Sequence, residues 1–174
     1  MEPSRAERWI DLGVVGRPRG LRGDLWLRAY NEFTEALAEG ARVRVTPVKG
    51  DPRVLTIASL IEEGKGLVVT FEGVHGREAA EALVNATVAL QRKDFPALED
   101  GEYYHCDLPG LAVLDAKGAR VGEVVGVEAY PSVDALRVSI DGAELEVPVT
   151  EDFVLAMDLD AGTVTVDLDA VRAE

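Results

Sequence analysis

Residues 16–24 have the sequence Gly-Arg-Pro-Arg-Gly-Leu-Arg-Gly-Asp, and apolar, strand-like runs flank them at 10–15 and 25–30. Glycine permits backbone conformations that a side chain forbids, and proline fixes one φ angle and removes an amide donor. The stretch therefore predicts a rigid surface loop between two β-strands. Four residues are predicted to shape the loop: Gly16, Pro18, Gly20 and Gly23.

The same stretch carries three candidate RNA-binding residues, Arg17, Arg19 and Arg22. A guanidinium group offers a planar fork of five donors that suits a phosphate, a carboxylate or an exposed base edge. Turns and functional residues both concentrate in loops, so two interpretations are equally compatible with the pattern. The arginines bind an anionic partner, or they belong to a solvated hairpin turn.

The charge of the chain is divided between its halves. In total, 18 Lys and Arg residues stand against 32 Asp and Glu residues, a formal net charge of −14. Up to residue 94 the two signs balance at 14 each, and from residue 95 four basic residues face 18 acidic ones. This asymmetry predicts two modules, one with a basic patch for nucleic acid and one with an acidic surface for a cationic protein. The alternative is that the acidity only keeps the protein soluble.

Length and composition agree with two small domains. At 174 residues and 47% hydrophobic content, the chain can bury one large core or two small ones. Residues 95–101 hold a proline and a glycine without helix or strand periodicity, which is typical of a linker. The predicted division is a first domain at 1–94, a linker at 95–102 and a second domain at 103–174.

Both halves consist of short β-type runs separated by glycine-bearing turns. One helix is predicted at 77–84, with Asn85 as its left-handed cap. Asp141-Gly142 favours a tight type I′ hairpin turn. Because closing a sheet removes its exposed edges, the predicted fold is mainly β with two small barrels. The predicted strands are 10–15, 25–30, 43–48, 54–61, 67–71, 87–91, 111–114, 120–130, 133–140, 143–149 and 163–166.

Several classes of function lack the residues they need. The first residues have no apolar segment typical of a signal peptide, and no run approaches the roughly 20 apolar residues of a membrane span, so a soluble, cytoplasmic protein is expected. Cys106 is the only cysteine, which excludes an intrachain disulfide and a thiolate metal cluster. His75 and His105 have no acid–base partner at a recognisable spacing. We therefore predict no enzyme activity, no metal and no cofactor.

The order of several motifs resembles the RimM family of bacterial ribosome maturation factors. The resemblance covers nearly the whole chain. It implies an N-terminal barrel similar to those of translation factors and a C-terminal PRC barrel. The matching elements are the stretch 16–24, the helix 77–84, Glu102-Tyr103-Tyr104, Asp107-Leu108-Pro109-Gly110-Leu111, Gly118, Gly122, Asp134-Ala135-Leu136, Val147-Pro148, Val154 and Asp158.

The resemblance implies a non-catalytic role in assembly of the 30S ribosomal subunit. Members of the family bind the nineteenth protein of the small subunit and help the head of 16S rRNA to mature, so the implied partners are that protein, the immature subunit and the rRNA head. We expect a monomer. The alternatives are a translation-factor-like RNA-binding module and a protein adaptor, each without an assembly role.

Tyr103 and Tyr104 are the candidate ribosome-binding residues, a role that the resemblance implies for this pair. In a β environment successive side chains face opposite sides, so one ring is expected to be exposed or to bridge the modules. Tyrosine is enriched at binding hot spots because it combines apolar area with a hydroxyl group. The alternative is that a tyrosine anchors the linker.

Overall fold

The computed structural model describes residues 3–30 and 36–173. The chain divides into two compact units, Met1–Ala97 and Leu98–Glu174. The predicted domain and linker boundaries at 94 and 103 stay predictions. The sequence predicts a loop over residues 31–40 with one helical turn around 35–37, and this turn begins outside the described residues.

The first unit is a closed barrel of six antiparallel strands in the order β1-β2-β5-β4-β3-β6. Closure joins every strand to two neighbours, as the sequence predicts. One α-helix follows β5, and short 3₁₀ turns lie at Arg5–Glu7 and Arg92–Asp94. The elements are β1 (Trp9–Arg19), β2 (Asp24–Ala29), β3 (Arg42–Thr46), β4 (Arg53–Glu63), β5 (Gly66–Phe71), α1 (Gly76–Glu81) and β6 (Thr87–Gln91).

Alternating apolar residues of the strands fill the barrel. Leu25 and Leu27 of β2 and Val43 and Val45 of β3 are buried, while the residues between them lie on the outer side. The helix is shorter than predicted: it ends at Glu81, and residues 82–85 form a turn in which the amides of Leu83 and Val84 bond to the carbonyl oxygens three residues earlier. The largest fully buried side chains of the first unit are Phe71, Leu25, Ile57, Leu83 and Leu90.

The prediction of a loop over residues 16–24 is wrong for most of that stretch. Strand β1 continues to Arg19, which pairs with Asp24 at the start of β2, so only residues 20–23 form the turn. Pro18 has no amide hydrogen to donate, so it fits best where a strand is paired on one side. The pairing of β1 with β6 ends at Val14, and at Pro18 the strand is paired with β2. The stretch is thus a β-hairpin with an arginine-bearing turn.

Gly23 is the residue that fixes this turn. Its φ of +112° is strained for any side chain, and a Cβ atom there would lie 2.5 Å from the carbonyl oxygen of Val74. Gly20 also has a positive φ, +72°, but faces open space. The Gly76 amide donates to the carbonyl oxygen of Arg22 at 3.1 Å, which ties the turn to the start of α1.

The second unit is a six-stranded sheet curled around its own core, in the order β10-β9-β8-β7-β12-β11. All pairs are antiparallel except β7 with β12. Asp141 and Gly142 both have positive φ, +51° and +81°, which confirms the predicted type I′ turn. The elements are β7 (Ala112–Leu114), β8 (Arg120–Ala129), β9 (Asp134–Ile140), β10 (Ala143–Pro148), β11 (Val154–Asp158), β12 (Thr163–Val166) and α2 (Leu168–Ala173).

The mainly β fold with two β-rich units is confirmed. The sequence prediction missed β11 and α2. Strand β11 is an edge strand with mostly exposed or half-buried residues, so its sequence lacks a clear apolar alternation. Helix α2 has six residues, too few for a helical period to stand out. Across residues 3–30 and 36–173 the helices are all too short or too polar to cross a membrane.

Candidate functional site

The hairpin of β1 and β2 carries the three arginines in different environments, with Arg17 and Arg19 in β1 and Arg22 in the turn. Arg17 and Arg22 are exposed, and Arg19 is half-buried. Within the described ranges, neither Arg17 nor Arg22 forms an ion pair. These two guanidinium groups are therefore available to an external anion.

Arg19 already has two carboxylate partners. Its guanidinium group pairs with Glu63 of β4 and lies 3.9 Å from the Asp24 carboxylate. Asp24 in turn accepts a hydrogen bond of 2.8 Å from the hydroxyl of Thr70 on β5. Because Asp24 and Glu63 offset its charge, Arg19 links three strands of the barrel and attracts an external phosphate less than its neighbours do.

In the second unit, Tyr103 and His105 meet Asp134 at the start of β9. The Tyr103 hydroxyl donates to Asp134 Oδ2 at 2.8 Å, and His105 Nε2 lies 2.8 Å from the same oxygen. The two rings are stacked, with centroids 6.1 Å apart. The contact with His105 becomes an ion pair when the imidazole is protonated. This cluster fixes the beginning of the unit to the sheet.

Hydrogen bonding within the cluster shifts two pKa values. Burial, together with the hydrogen bond and negative charge of Asp134, raises the pKa of Tyr103 to about 12. Burial acts to raise the pKa of Asp134, but hydrogen bonds from His105 and Tyr103 and the charge of His105 outweigh it and lower the value. The tyrosine therefore stays a donor and the carboxylate stays an acceptor at neutral pH.

One expectation about this region is wrong, and one contact was not foreseen. Tyr103 and Tyr104 do not lie in a β-strand; they precede a 3₁₀ turn at His105–Asp107, so strand alternation does not separate their side chains. Tyr103 packs against the core of the second unit, and Tyr104 is half-buried. His105 does have an acidic partner, Asp134, which was missed because 29 residues separate them along the chain.

The second unit also has a groove with a volume of about 350 Å³. Tyr130 is 48% exposed at its rim and donates a hydrogen bond of 3.0 Å to the Glu146 carboxylate. The groove is apolar inside and acidic at its edge. The sequence gives no local signal for it, since its walls come from distant segments. The lining residues are Tyr130, Val133, Ala135, Glu146, Pro148, Phe153 and Val171.

No group of three or more His, Cys, Asp or Glu side chains in the described part of the chain is arranged to hold a metal ion. In the cluster, the Tyr103 hydroxyl and His105 Nε2 both contact Asp134 Oδ2. The described side chains of the two units offer charged groups, hydrogen-bonding groups and an apolar groove.

The sequence pattern of the RimM N-terminal domain matches residues 10–95, and that of the RimM PRC barrel domain matches residues 105–170. A protein of Sorangium cellulosum named ribosome maturation factor RimM is 38% identical over 152 residues, which cover 87% of this chain and 89% of that one. The chain belongs to the RimM family.

Two further comparisons are with proteins named RimM. The protein of the same name from Chelativorans sp. is 34% identical over 167 residues, covering 95% of this chain and 77% of its own. The solution structure of the N-terminal domain of RimM from Thermus thermophilus is 33% identical, covers 53% of this chain and 99% of its own, and superimposes with a TM-score of 0.43.

The candidate site residues lie in different parts of the chain relative to the two matched RimM domains. The hairpin arginines lie inside the N-terminal match, and His105 and Asp134 lie inside the PRC barrel match. Tyr103 and Tyr104 lie in the short segment between the matches. The hydrogen bond from Tyr103 to Asp134 therefore attaches this connecting segment to the PRC barrel.

Proposed function

We propose that this RimM protein is a non-catalytic, cytoplasmic assembly factor of the 30S ribosomal subunit that acts as a monomer. Its acidic C-terminal unit binds a cationic ribosomal protein, the nineteenth of the small subunit. Its N-terminal barrel contacts the maturing head of 16S rRNA through Arg17 and Arg22, with Arg19 in a supporting role. The curated relatives, which are named ribosome maturation factors, support the general assignment.

The observation that carries this proposal is the division of charge between two separately folded units. The barrel displays Arg17 and Arg22 without carboxylate partners among the described residues. The second unit and the segment leading into it hold the whole acidic excess and an apolar groove edged by Glu146. Free ribosomal proteins are strongly cationic, so an acidic surface with an apolar groove suits such a partner.

Phosphate contacts by the arginines would position the protein on RNA without reading its sequence. A net charge of −14 repels bulk RNA, so affinity for RNA alone should be weak and should fall steeply with salt. Binding a cationic protein offsets part of this charge. We therefore expect the ribosomal protein to strengthen RNA binding by the complex.

Tyr103 and Tyr104 would act in ribosome binding by different routes. Tyr103 is held by Asp134 and the core of its unit, so it positions the connecting segment. Tyr104 is half-buried and immediately precedes the 3₁₀ turn, and the exposed part of its side chain can contact a partner.

Sedimentation of tagged protein in a cell lysate tests the proposal. The wild type should migrate with free 30S particles and not with 70S ribosomes, and a variant carrying Tyr103→Ala and Tyr104→Ala should remain at the top of the gradient. The matched control carries Tyr103→Phe and Tyr104→Phe, which keep both rings. Wild-type protein that remains at the top at low and at high salt contradicts ribosome association.

Purified components separate the alternatives. RNA affinity of the full chain is measured with and without the nineteenth small-subunit protein. An assembly factor recruited by protein should bind RNA tightly only with that protein present. A stand-alone RNA-binding module should bind equally well without it. A protein adaptor should tolerate Arg17→Ala with Arg22→Ala without loss of 30S association.

A further inference from the structure

Trp26 lies on the outer side of the barrel in the first unit. Its neighbours Leu25 and Leu27 point into the core, where they are 0% and 4% exposed. Because side chains alternate along a strand, Trp26 faces outward together with Asp24 and Arg28. A large indole on this side is partly exposed and is not needed to fill the core.

Two glycines make room for the indole. A Cβ atom on Gly66 would lie 2.9 Å from Cζ3 and 3.0 Å from Cε3 of Trp26, so the six-membered ring rests on the backbone of Gly66. A Cβ atom on Gly16 would lie 3.3 Å from Trp26 Cβ. The absence of side chains at both positions holds the ring close against the sheet.

Apolar side chains extend this surface across the neighbouring strands. Val68 of β5 is paired with Trp26, and Ile61 of β4 is paired with Val68. Val68 lies outside the barrel core cluster and is 2% exposed, so it contributes packing to this region rather than free surface. Ile61 is 47% exposed. We call Trp26, Ile61 and Val68 the outer patch.

Three exposed cationic residues lie near the outer patch along the strands and the turn that form it. Arg28 lies two residues beyond Trp26 on the same face of β2, Arg17 follows Gly16, and Lys65 precedes Gly66; all three are exposed. None of the three forms an ion pair with another described residue, whereas the nearby carboxylate of Glu63 is occupied by Arg19. An aromatic surface edged by uncompensated cations suits an anion with flat apolar groups, which is the chemistry of single-stranded nucleic acid.

We propose that Trp26 is a stacking platform for an unpaired RNA base, with Arg17 and Arg28 on the flanking phosphates. This inference rests on the proposed RNA-binding function of the barrel and deepens it. Arginines alone attract single and double strands alike, because phosphates are present in both. The indole adds a preference for unpaired nucleotides, since only an unstacked base can lie on an aromatic ring.

The two tryptophans of the chain allow a direct test. In the full-length Trp9→Phe variant, Trp26 is the only indole, so its fluorescence reports contact with a base. This variant is titrated at low salt with a single-stranded oligoribonucleotide of about ten residues, within the usual footprint of such sites, and with the duplex of the same sequence. We expect quenching by the single strand and little change with the duplex.

Affinity measurements on full-length variants complete the test. Trp26→Leu should weaken single-strand binding about tenfold, in line with the usual contribution of base stacking, and Trp26→Phe should restore most of it. Gly66→Ala keeps the indole but displaces it, and should reduce quenching. Circular dichroism checks that each variant remains folded.

Three results would overturn the inference. If Trp26→Leu, Trp26→Phe and the wild type bind single strands equally and no quenching occurs, the platform is wrong while RNA binding by the barrel stands. If RNA binds to no variant, even with the ribosomal protein present, the RNA-binding part of the proposed function fails as well. If the cationic ribosomal protein quenches Trp26 and RNA does not, the outer patch belongs to a protein interface.

Discussion

Tyr103→Phe removes one hydroxyl group and leaves the ring in place, so it measures the hydrogen bond that ties the connecting segment to the second unit. The lost contact is the 2.8 Å bond to Asp134 Oδ2. A hydrogen bond to a charged acceptor contributes about 1.5–3 kcal/mol. The Asp134 side chain is 23% exposed and keeps His105 as a partner, so the lower end applies, about 1.5 kcal/mol.

Tyr130→Phe is the matched control. The Tyr130 hydroxyl also donates to a carboxylate, that of Glu146 at 3.0 Å, but both side chains are exposed. Water replaces such a bond readily, so the control should leave the stability of the second unit unchanged within error. The two variants lose the same atom, and only the environment of the hydrogen bond differs.

Urea unfolding of the full chain provides the assay, with a separate readout for each unit. Trp9 and Trp26 both lie in the first unit, so their fluorescence follows the barrel alone. NMR amide signals of β9 and β10 follow the second unit. For a unit of this size, a loss of about 1.5 kcal/mol lowers the midpoint by about 1 M urea. Equal midpoints for Tyr103→Phe and Tyr130→Phe would refute the reasoning.

Three further predictions concern pH, the hairpin and the core. The pKa of Asp134 is lower in the folded protein than its ordinary value of 3.8, so ionised Asp134 stabilises the fold above pH 3.8, and this stability is lost as the pH falls through the pKa of the folded state. Tyr103→Phe removes a hydrogen bond that lowers this pKa. Acid unfolding of the variant, followed by circular dichroism, should therefore begin at a higher pH than that of the wild type. Gly23→Ala should destabilise the barrel by about 3 kcal/mol and Gly20→Ala by about 1 kcal/mol, as measured by tryptophan fluorescence in urea; equal effects would contradict the clash at Gly23. Leu136→Ala should cost the second unit about 2–5 kcal/mol in the NMR-detected transition and leave the fluorescence transition unchanged.

Local patterns predicted much of the β structure. Strands β6 and β12 have the predicted ends, and Asp141-Gly142 forms the predicted type I′ turn. These features depend on neighbouring residues, through alternation of side chains and the backbone freedom of glycine. The hairpin of β1 and β2 shows the limit of such patterns. Glycine and proline predicted a loop, but pairing with β2 continues the strand to Arg19.

The candidate sites were predictable in part. The sequence singled out Arg17 and Arg22, whose exposure and lack of described ion pairs agree with a binding role, but it gave Arg19 the same weight. Only the fold shows that Asp24 and Glu63 flank Arg19. Trp26 was not predicted as a site, because three successive apolar residues, Leu25, Trp26 and Leu27, do not show by their sequence which face of the strand is exposed to solvent.

By itself, the sequence determined the family through the order of its motifs, the mainly β character through short-range alternation, and the division of charge through composition. Tertiary structure decided which side chains meet. Asp134 joins His105 and Tyr103 from about 30 residues away, and the ring of Trp26 rests on Gly66, 40 residues further along the chain. The physical reason is that backbone preferences act between neighbours, whereas ion pairs, stacking and grooves depend on which strands the closed barrel and the curled sheet place side by side.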